Sequence, residues 1–185
     1  MTVLAVFDES GKGLGSHESD SHRITQVLAG HGVTFERWEP NQPVDANADT
    51  DDLLSAYSDS IERLNAAHSF ETVDVVSIGS EDAAAAELRQ KFLAEHTHAD
   101  FEVRFFVAGR GLFCLHLGDR VLALLCEAGD LVSIPADTTH WFDMGSRPEF
   151  TCIRFFSTPE GWVGAFTGSD IATRFPDFDA FVASL

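Results

Sequence analysis

The chain predicts a mainly β fold with a few helices, and three features carry that prediction. From residue 96 to about 156, short apolar runs are separated by Gly-Asp pairs at 118–119 and 129–130. That even strand-and-turn rhythm belongs to an antiparallel barrel or sandwich. Upstream, strand-like and helix-like segments alternate, which adds an α/β decoration on the N-terminal side. With 185 residues, 44% of them hydrophobic and 16 of them Phe, the chain can bury a core without metal or disulfide support. No internal repeat and no Pro/Ser-rich linker interrupts it, so 1–185 reads as a single domain.

Taken in order, residues 2–7 alternate weakly and are β-branched enough for a first strand. Glycines at 11, 13 and 15 follow, but neither nucleotide-binding fingerprint fits their spacing, so 10–16 is a loop. Ser21 is placed to cap a short helix carrying Ile24, Val27 and Leu28, with Gly30 or Gly32 ending it. Residues 33–38 predict a strand closed by Pro40 and Pro43. Acidic residues at 49–52 open a helix over about 51–66, where Leu53, Leu54, Tyr57, Ile61 and Leu64 recur on one face. Another strand is predicted at 73–78, and 81–93, rich in Ala, Glu, Leu, Arg and Gln, predicts a helix running up to His96. Residues 161–185 mix aromatics with Gly and Pro and leave room for one terminal helix near 171–174.

Twelve basic against 30 acidic residues give a formal charge of −18. A field of that sign repels nucleic acid and anionic membranes and favours solubility. The N-terminus turns acidic before a signal peptide's apolar core could form, and no apolar run approaches the ~20 residues that cross a bilayer. The expectation is a cytoplasmic protein. Cys114, Cys126 and Cys152 are odd in number, sit among apolar neighbours and lack Cys-x-x-Cys spacing; they read as buried free thiols.

Chemistry concentrates at residues 96–104. In an extended chain, side chains alternate between faces, so His96, His98, Glu102 and Arg104 share one side. Two imidazoles and a carboxylate form a metal half-site suited to Fe(II), Ni(II), Zn(II) or Mn(II). Residues 129–135 then lead through a turn to His140, a fourth donor. The other histidines have plainer readings: His17 and His22 as exposed residues, His68 as a helix end, and His116 as a satisfied core or rim residue.

The pattern His-x-His-x3-Glu-x6-Gly, followed by Gly-x5-Pro-x4-His, resembles the two signature motifs of the cupin superfamily. The strings His-Thr-His at 96–98, Glu-Val-Arg-Phe-Phe-Val at 102–107, Gly-Leu-Phe-Cys-Leu-His at 111–116, His-Trp-Phe-Asp-Met-Gly at 140–145 and Glu-Gly-Trp at 160–162 narrow this. Across roughly 70–170 the chain is similar to the bacterial acireductone dioxygenase family. Two positions depart from the general cupin motif: Asp137 stands where a Gly is common, and Met144 where an Asn is common.

The resemblance implies a cupin (double-stranded β-helix, jelly-roll) barrel, with a metal-binding core at about 70–160 and one Fe(II) or Ni(II) held by His96, His98, Glu102 and His140. It implies oxidation of acireductone, 1,2-dihydroxy-5-(methylthio)pent-1-en-3-one, by O2 in methionine salvage. The Fe(II) form would give 4-methylthio-2-oxobutanoate and formate; the Ni(II) form would give 3-(methylthio)propanoate, formate and carbon monoxide. Arg104 would stabilise the enediolate through its forked guanidinium, and Phe92, Phe142 and Trp162 would wall in the thioether tail. The protein would be a monomer whose partners are this substrate and O2, with no nucleic acid and no membrane. The rival readings are another cupin dioxygenase, a metal-dependent isomerase, or a non-catalytic cupin that binds a small molecule.

Overall fold

One strand organises the architecture. The computed structural model describes residues 1–68, 70–158 and 163–185, and in it β5 (Glu102–Leu117) runs through both halves of the sheet. The first half of β5 pairs antiparallel with β7 (Asp130–Ile134) and β9 (Phe150–Phe156). Its second half pairs with β6 (Arg120–Glu127) and β8 (Thr139–Asp143). Around these lie β1 (Val3–Asp8) on β6, β2 (Thr34–Arg37) on β7 and β3 (Thr72–Ile78) on β9. The short β4 (His96–Thr97) lies on β8, and β10 (Ala165–Phe166) lies on β4. The two halves of the sheet face each other as a jelly-roll barrel, as the strand-and-turn rhythm predicts.

A bulge in β5 decides which side chains point inward. Register along β9 slips between Phe106 and Ala108, leaving Val107 as the extra residue, and Gly109 follows in the left-handed region at φ +74. Before the bulge, Glu102, Arg104 and Phe106 face the interior, while Val103 and Phe105 pack outward. After it the parity reverses: Phe113 and Leu115 face in, while Leu112 and Cys114 face out.

Three apolar layers follow from this alternation. The barrel interior is filled by residues including Phe106, Phe113, Leu124, Ile134, Phe142 and Cys152. Outside one half, Trp38, Phe105 and Phe155 meet Leu53 from α2 (Thr50–Ala56), Leu64 from α3 (Ser58–His68) and Tyr57 between the two. Outside the other, Leu112, Cys114 and Trp141 are covered by Ile171, Phe175 and Phe181 near the C-terminus. All three cysteines are free and buried, as expected, and burial pushes the Cys152 thiol up to about 12. No helix among the described residues is long and apolar enough to cross a membrane.

Several local expectations need correction. The first helix, α1 (Ser21–Ala29), is capped by Asp20, whose side chain accepts from Arg23 N at 2.9 Å, so Ser21 is its first residue and not its cap. Val27 is exposed on it. The single helix expected over 51–66 is two, broken where Tyr57 leaves helical geometry to bury its ring beside Phe105. Residues 81–84 form turns, and α4 begins only at Ala85, running Ala85–Leu93. A 3₁₀ turn spans Ile171–Arg174, but the longer terminal helix is α5 (Phe178–Ala183), capped by Asp177; the sequence reading missed it.

Candidate metal centre

Residues 96–104 are not one continuous strand. β4 ends at Thr97, the chain bends at Ala99 and Asp100, and β5 begins at Glu102. The bend is held by Asp100, whose carboxylate accepts from Phe101 N at 2.8 Å and Ser157 N at 3.3 Å. The simple parity rule therefore reaches the right grouping by a route the chain does not take. His96 is opposite His140 in the β4–β8 pairing, while Glu102 is opposite Ile134 in the β5–β7 pairing. At the turn before His140, Asp137 has φ 60 and donates its N–H to the His98 carbonyl at 2.8 Å. Asp thus takes the left-handed conformation that Gly usually supplies there.

His96, His98, Glu102 and His140 are all buried, and one potential ligand atom from each lies within 4.8 Å of all the others. Backbone carbonyls orient the three rings. His96 Nδ1 is 2.7 Å from Ala94 O, His98 Nδ1 is 3.1 Å from Val163 O, and His140 Nδ1 is 2.8 Å from Thr138 O. A carbonyl can only accept, so each Nδ1 carries a proton, and the position left for a metal on each ring is the Nε2 lone pair. Those lone pairs meet a carboxylate: Glu102 Oε2 lies 3.0 Å from both His98 Nε2 and His140 Nε2. Without a proton or a cation between them, these atoms would repel. The donor set fits a divalent ion of the Fe, Ni or Zn kind.

The electrostatics agree with ligand duty. Burial drives His96 down to about 4, overriding the Ala94 carbonyl, so its ring is neutral near pH 7. Burial also pushes His98 down, but the Glu102 carboxylate outweighs it and the net shift is upward. For Glu102, burial raises the pKa, while Arg104 and the two imidazoles hold it well below the usual carboxylate range. Arg104 Nε is 2.8 Å from Glu102 Oε1. Its guanidinium is buried over Phe142 at 4.6 Å and near Phe92 and Phe113, each at 5.6 Å.

The cluster opens into a cavity of about 370 Å³ lined by Phe92, Arg104, Phe142, Gly164 and Phe166, with Lys91, Asp74 and Arg154 also on its wall. Phe92 and Phe142 both line this cavity, and Trp162 lies outside the described residues. Sequence reasoning missed the Val163 carbonyl, the Gly164 and Phe166 wall, and the Arg154–Asp74 pair, whose two hydrogen bonds are 2.9 and 2.6 Å long. No sequence signal points to a backbone carbonyl 65 residues from the ring it orients. His116 stays out of the cluster, as expected, and instead meets Glu95 and Glu9.

A small antiparallel barrel with three imidazoles and one carboxylate converging on its interior defines a cupin of the metal-binding class. Comparison with known proteins narrows this further. The family model described as "ARD/ARD′ family" matches residues 4–164, and the chain belongs to that family. It is 51% identical over 182 residues to the acireductone dioxygenase of Methylococcus capsulatus, covering 98% of each chain. Identity to the Pseudomonas aeruginosa acireductone dioxygenase is 56% over 180 residues, covering 95% of this chain and 98% of the relative. The solved acireductone dioxygenase of Bacillus anthracis, with a cadmium ion in its active centre, superposes with a TM-score of 0.78. That structure is 26% identical, and the match covers 90% of this chain and 98% of that one.

Proposed function

We propose that the chain is a metal-dependent dioxygenase cleaving acireductone with O2, its Fe(II) or Ni(II) held by His96, His98, Glu102 and His140. The observation that carries the reading is the set of three Nδ1–carbonyl hydrogen bonds, with Nε2 of His98 and of His140 facing Glu102 and a ligand atom of His96 within 4.8 Å of the others. Relatives that share about half of its residues over nearly their whole length carry this activity in their names. When bound, the ion would supply Lewis acidity toward the oxygens of the deprotonated substrate.

The chain's own residues do the rest. Arg104 presents a fixed, forked cation at the wall of the cavity, and a charge-assisted pair of hydrogen bonds from it favours the deprotonated substrate. Its Phe surround keeps it poorly hydrated and strengthens that interaction. Phe92 and Phe142, and in this reading Trp162, hold the methylthio tail, since thioethers pack well against ring edges. The whole chain is read as one cupin domain with its metal-binding core at about 70–160, working as a monomer in the cytoplasm.

The test is one anaerobic mixing experiment. Protein is stripped, reloaded in separate portions with Fe(II) or Ni(II), given acireductone and then exposed to O2. The expected outcome is faster loss of the enediol than in a metal-free control, with 4-methylthio-2-oxobutanoate from the Fe portion and carbon monoxide from the Ni portion. Decay no faster than the control in every portion would leave a metal centre without this substrate.

A further inference from the structure

We infer that Gly111 is a positioning residue for the reaction: the missing side chain lets the Phe142 ring lie where it supports the Arg104 guanidinium. The inference rests on the role given to Arg104 above and adds a residue to it.

Two glycines stand close together on β5 for different reasons. Gly109 answers a backbone demand, with φ +74 and a would-be Cβ only 1.9 Å from Glu149 O. Gly111 is outside the left-handed region, so any residue could adopt its backbone. A Cβ there would instead lie 2.4 Å from both Cε2 and Cζ of Phe142, and 3.2 Å from Cε1 of Phe106. Glycine inside a strand often marks such a close approach.

The Phe142 ring is closely packed, and Arg104 is among the groups it touches. Its backbone is fixed opposite Phe113, its side chain is buried, and the Phe113 and Phe150 rings lie 4.7 and 5.9 Å away between centroids. Arg104, 4.6 Å from the ring centroid, and Phe92, at 6.4 Å, lie toward the cavity. A methyl group at 111 requires a retreat of roughly 1 Å to restore ordinary carbon–carbon contact. That shift passes to the guanidinium, and a displacement of about 1 Å in a positioned group costs on the order of 100-fold in rate.

Turnover, bound Ni(II) and melting temperature are measured for Gly111→Ala, Phe142→Leu, their double variant and Arg104→Ala. Gly111→Ala is expected to keep the parent's metal content and lose roughly 10- to 100-fold in kcat/KM. In the Phe142→Leu background the same change should cost less than about twofold, because the shorter side chain leaves room for the methyl. A purely structural role would lower the metal content and melting temperature of Gly111→Ala together with its turnover, so the separating readout is kcat/KM falling while both of the others hold. Gly111→Ala within about twofold of the parent overturns the inference, as does an equal loss in both backgrounds or loss of the metal. If Gly111→Ala fails to fold, the double variant decides: turnover matching Phe142→Leu upholds the inference, and a second failure to fold overturns it. Full turnover by Arg104→Ala removes the Arg104 reading itself, whereas failure of the Gly111 inference alone leaves Arg104→Ala impaired.

Discussion

Two clusters of histidine and glutamate face opposite sides of the same sheet, and only one of them is suited to a metal. Inside the barrel, the Nδ1 atoms of His96, His98 and His140 are spent on neutral carbonyls, and Nε2 of His98 and of His140 both face the Glu102 carboxylate, with His96 in the same cluster. Outside it, His116 has Nδ1 2.7 Å from Glu95 and Nε2 3.1 Å from Glu9, and Thr167 donates to Glu95 at 2.6 Å. There a single imidazole lies between two separate carboxylates, whereas inside the barrel Nε2 of two imidazoles shares one Glu102 oxygen. Residue types and proximity are alike in the two places. What differs is convergence: three imidazoles and one carboxylate meet inside, and the backbone carbonyls that hold the rings set that.

The contrast can be broken most sharply by truncating one glutamate and replacing one histidine. Glu102→Ala should weaken Ni(II) binding by at least ~100-fold, beyond the loss typical of an outer partner, whereas His116→Gln should stay within about threefold of the parent in a metal titration. Equal losses in the two variants would end the distinction between the clusters.

Arg104→Ala comes next in size. Metal content should hold while kcat falls on the order of 100- to 1,000-fold, the scale of losing one preorganised charge-stabilising donor. Its stability cost should be larger in the metal-free protein, where Glu102 is left as a buried charge without a compensating cation. Comparing melting temperatures with and without Ni(II) checks this; equal shifts would contradict it.

A pH series sharpens the inner cluster further. Because His98 is raised by Glu102, its share of the metal-free stability is present below the unfolded imidazole pKa and disappears as pH climbs through the higher folded value. Metal binding must displace that same proton, so affinity rises over the same interval. The lowered Glu102 acts in the opposite sense and loses its contribution only in acid. The gap in melting temperature between loaded and metal-free protein should therefore widen between roughly pH 6 and 8. A constant gap would mean that His98 does not govern binding.

The smallest effect tests the turn that delivers His140. With Asp137 at φ 60, Asp137→Ala should be less stable than Asp137→Gly by about 1 kcal/mol in denaturant unfolding, since alanine tolerates that region poorly. Parity between the two would show that the turn relaxes.

Much of the site was legible because its residues sit close together in the chain. His96, His98, Glu102 and Arg104 fall within nine residues, and the Gly-x5-Pro-x4-His spacing picks out His140. The terminal helix α5 was hidden because six residues of mixed aromatics give too little periodicity to read. The break at Tyr57 was hidden because the apolar stripe continues through it; burial beside Phe105 overrides helical continuity there.

By itself, the sequence determined the candidate cluster of His96, His98, Glu102 and His140 and the alternation of strands and turns, because both rest on short-range spacing. Tertiary structure alone decided which faces those residues occupy. Glu102 and His116 share even numbering on β5, yet the extra residue at Val107 turns one inward and the other outward. It also decided the tautomers, through carbonyls such as that of Val163, and the use of Gly111 as space for a ring. Each of these depends on which segment lies opposite, and that is settled only when the sheet closes.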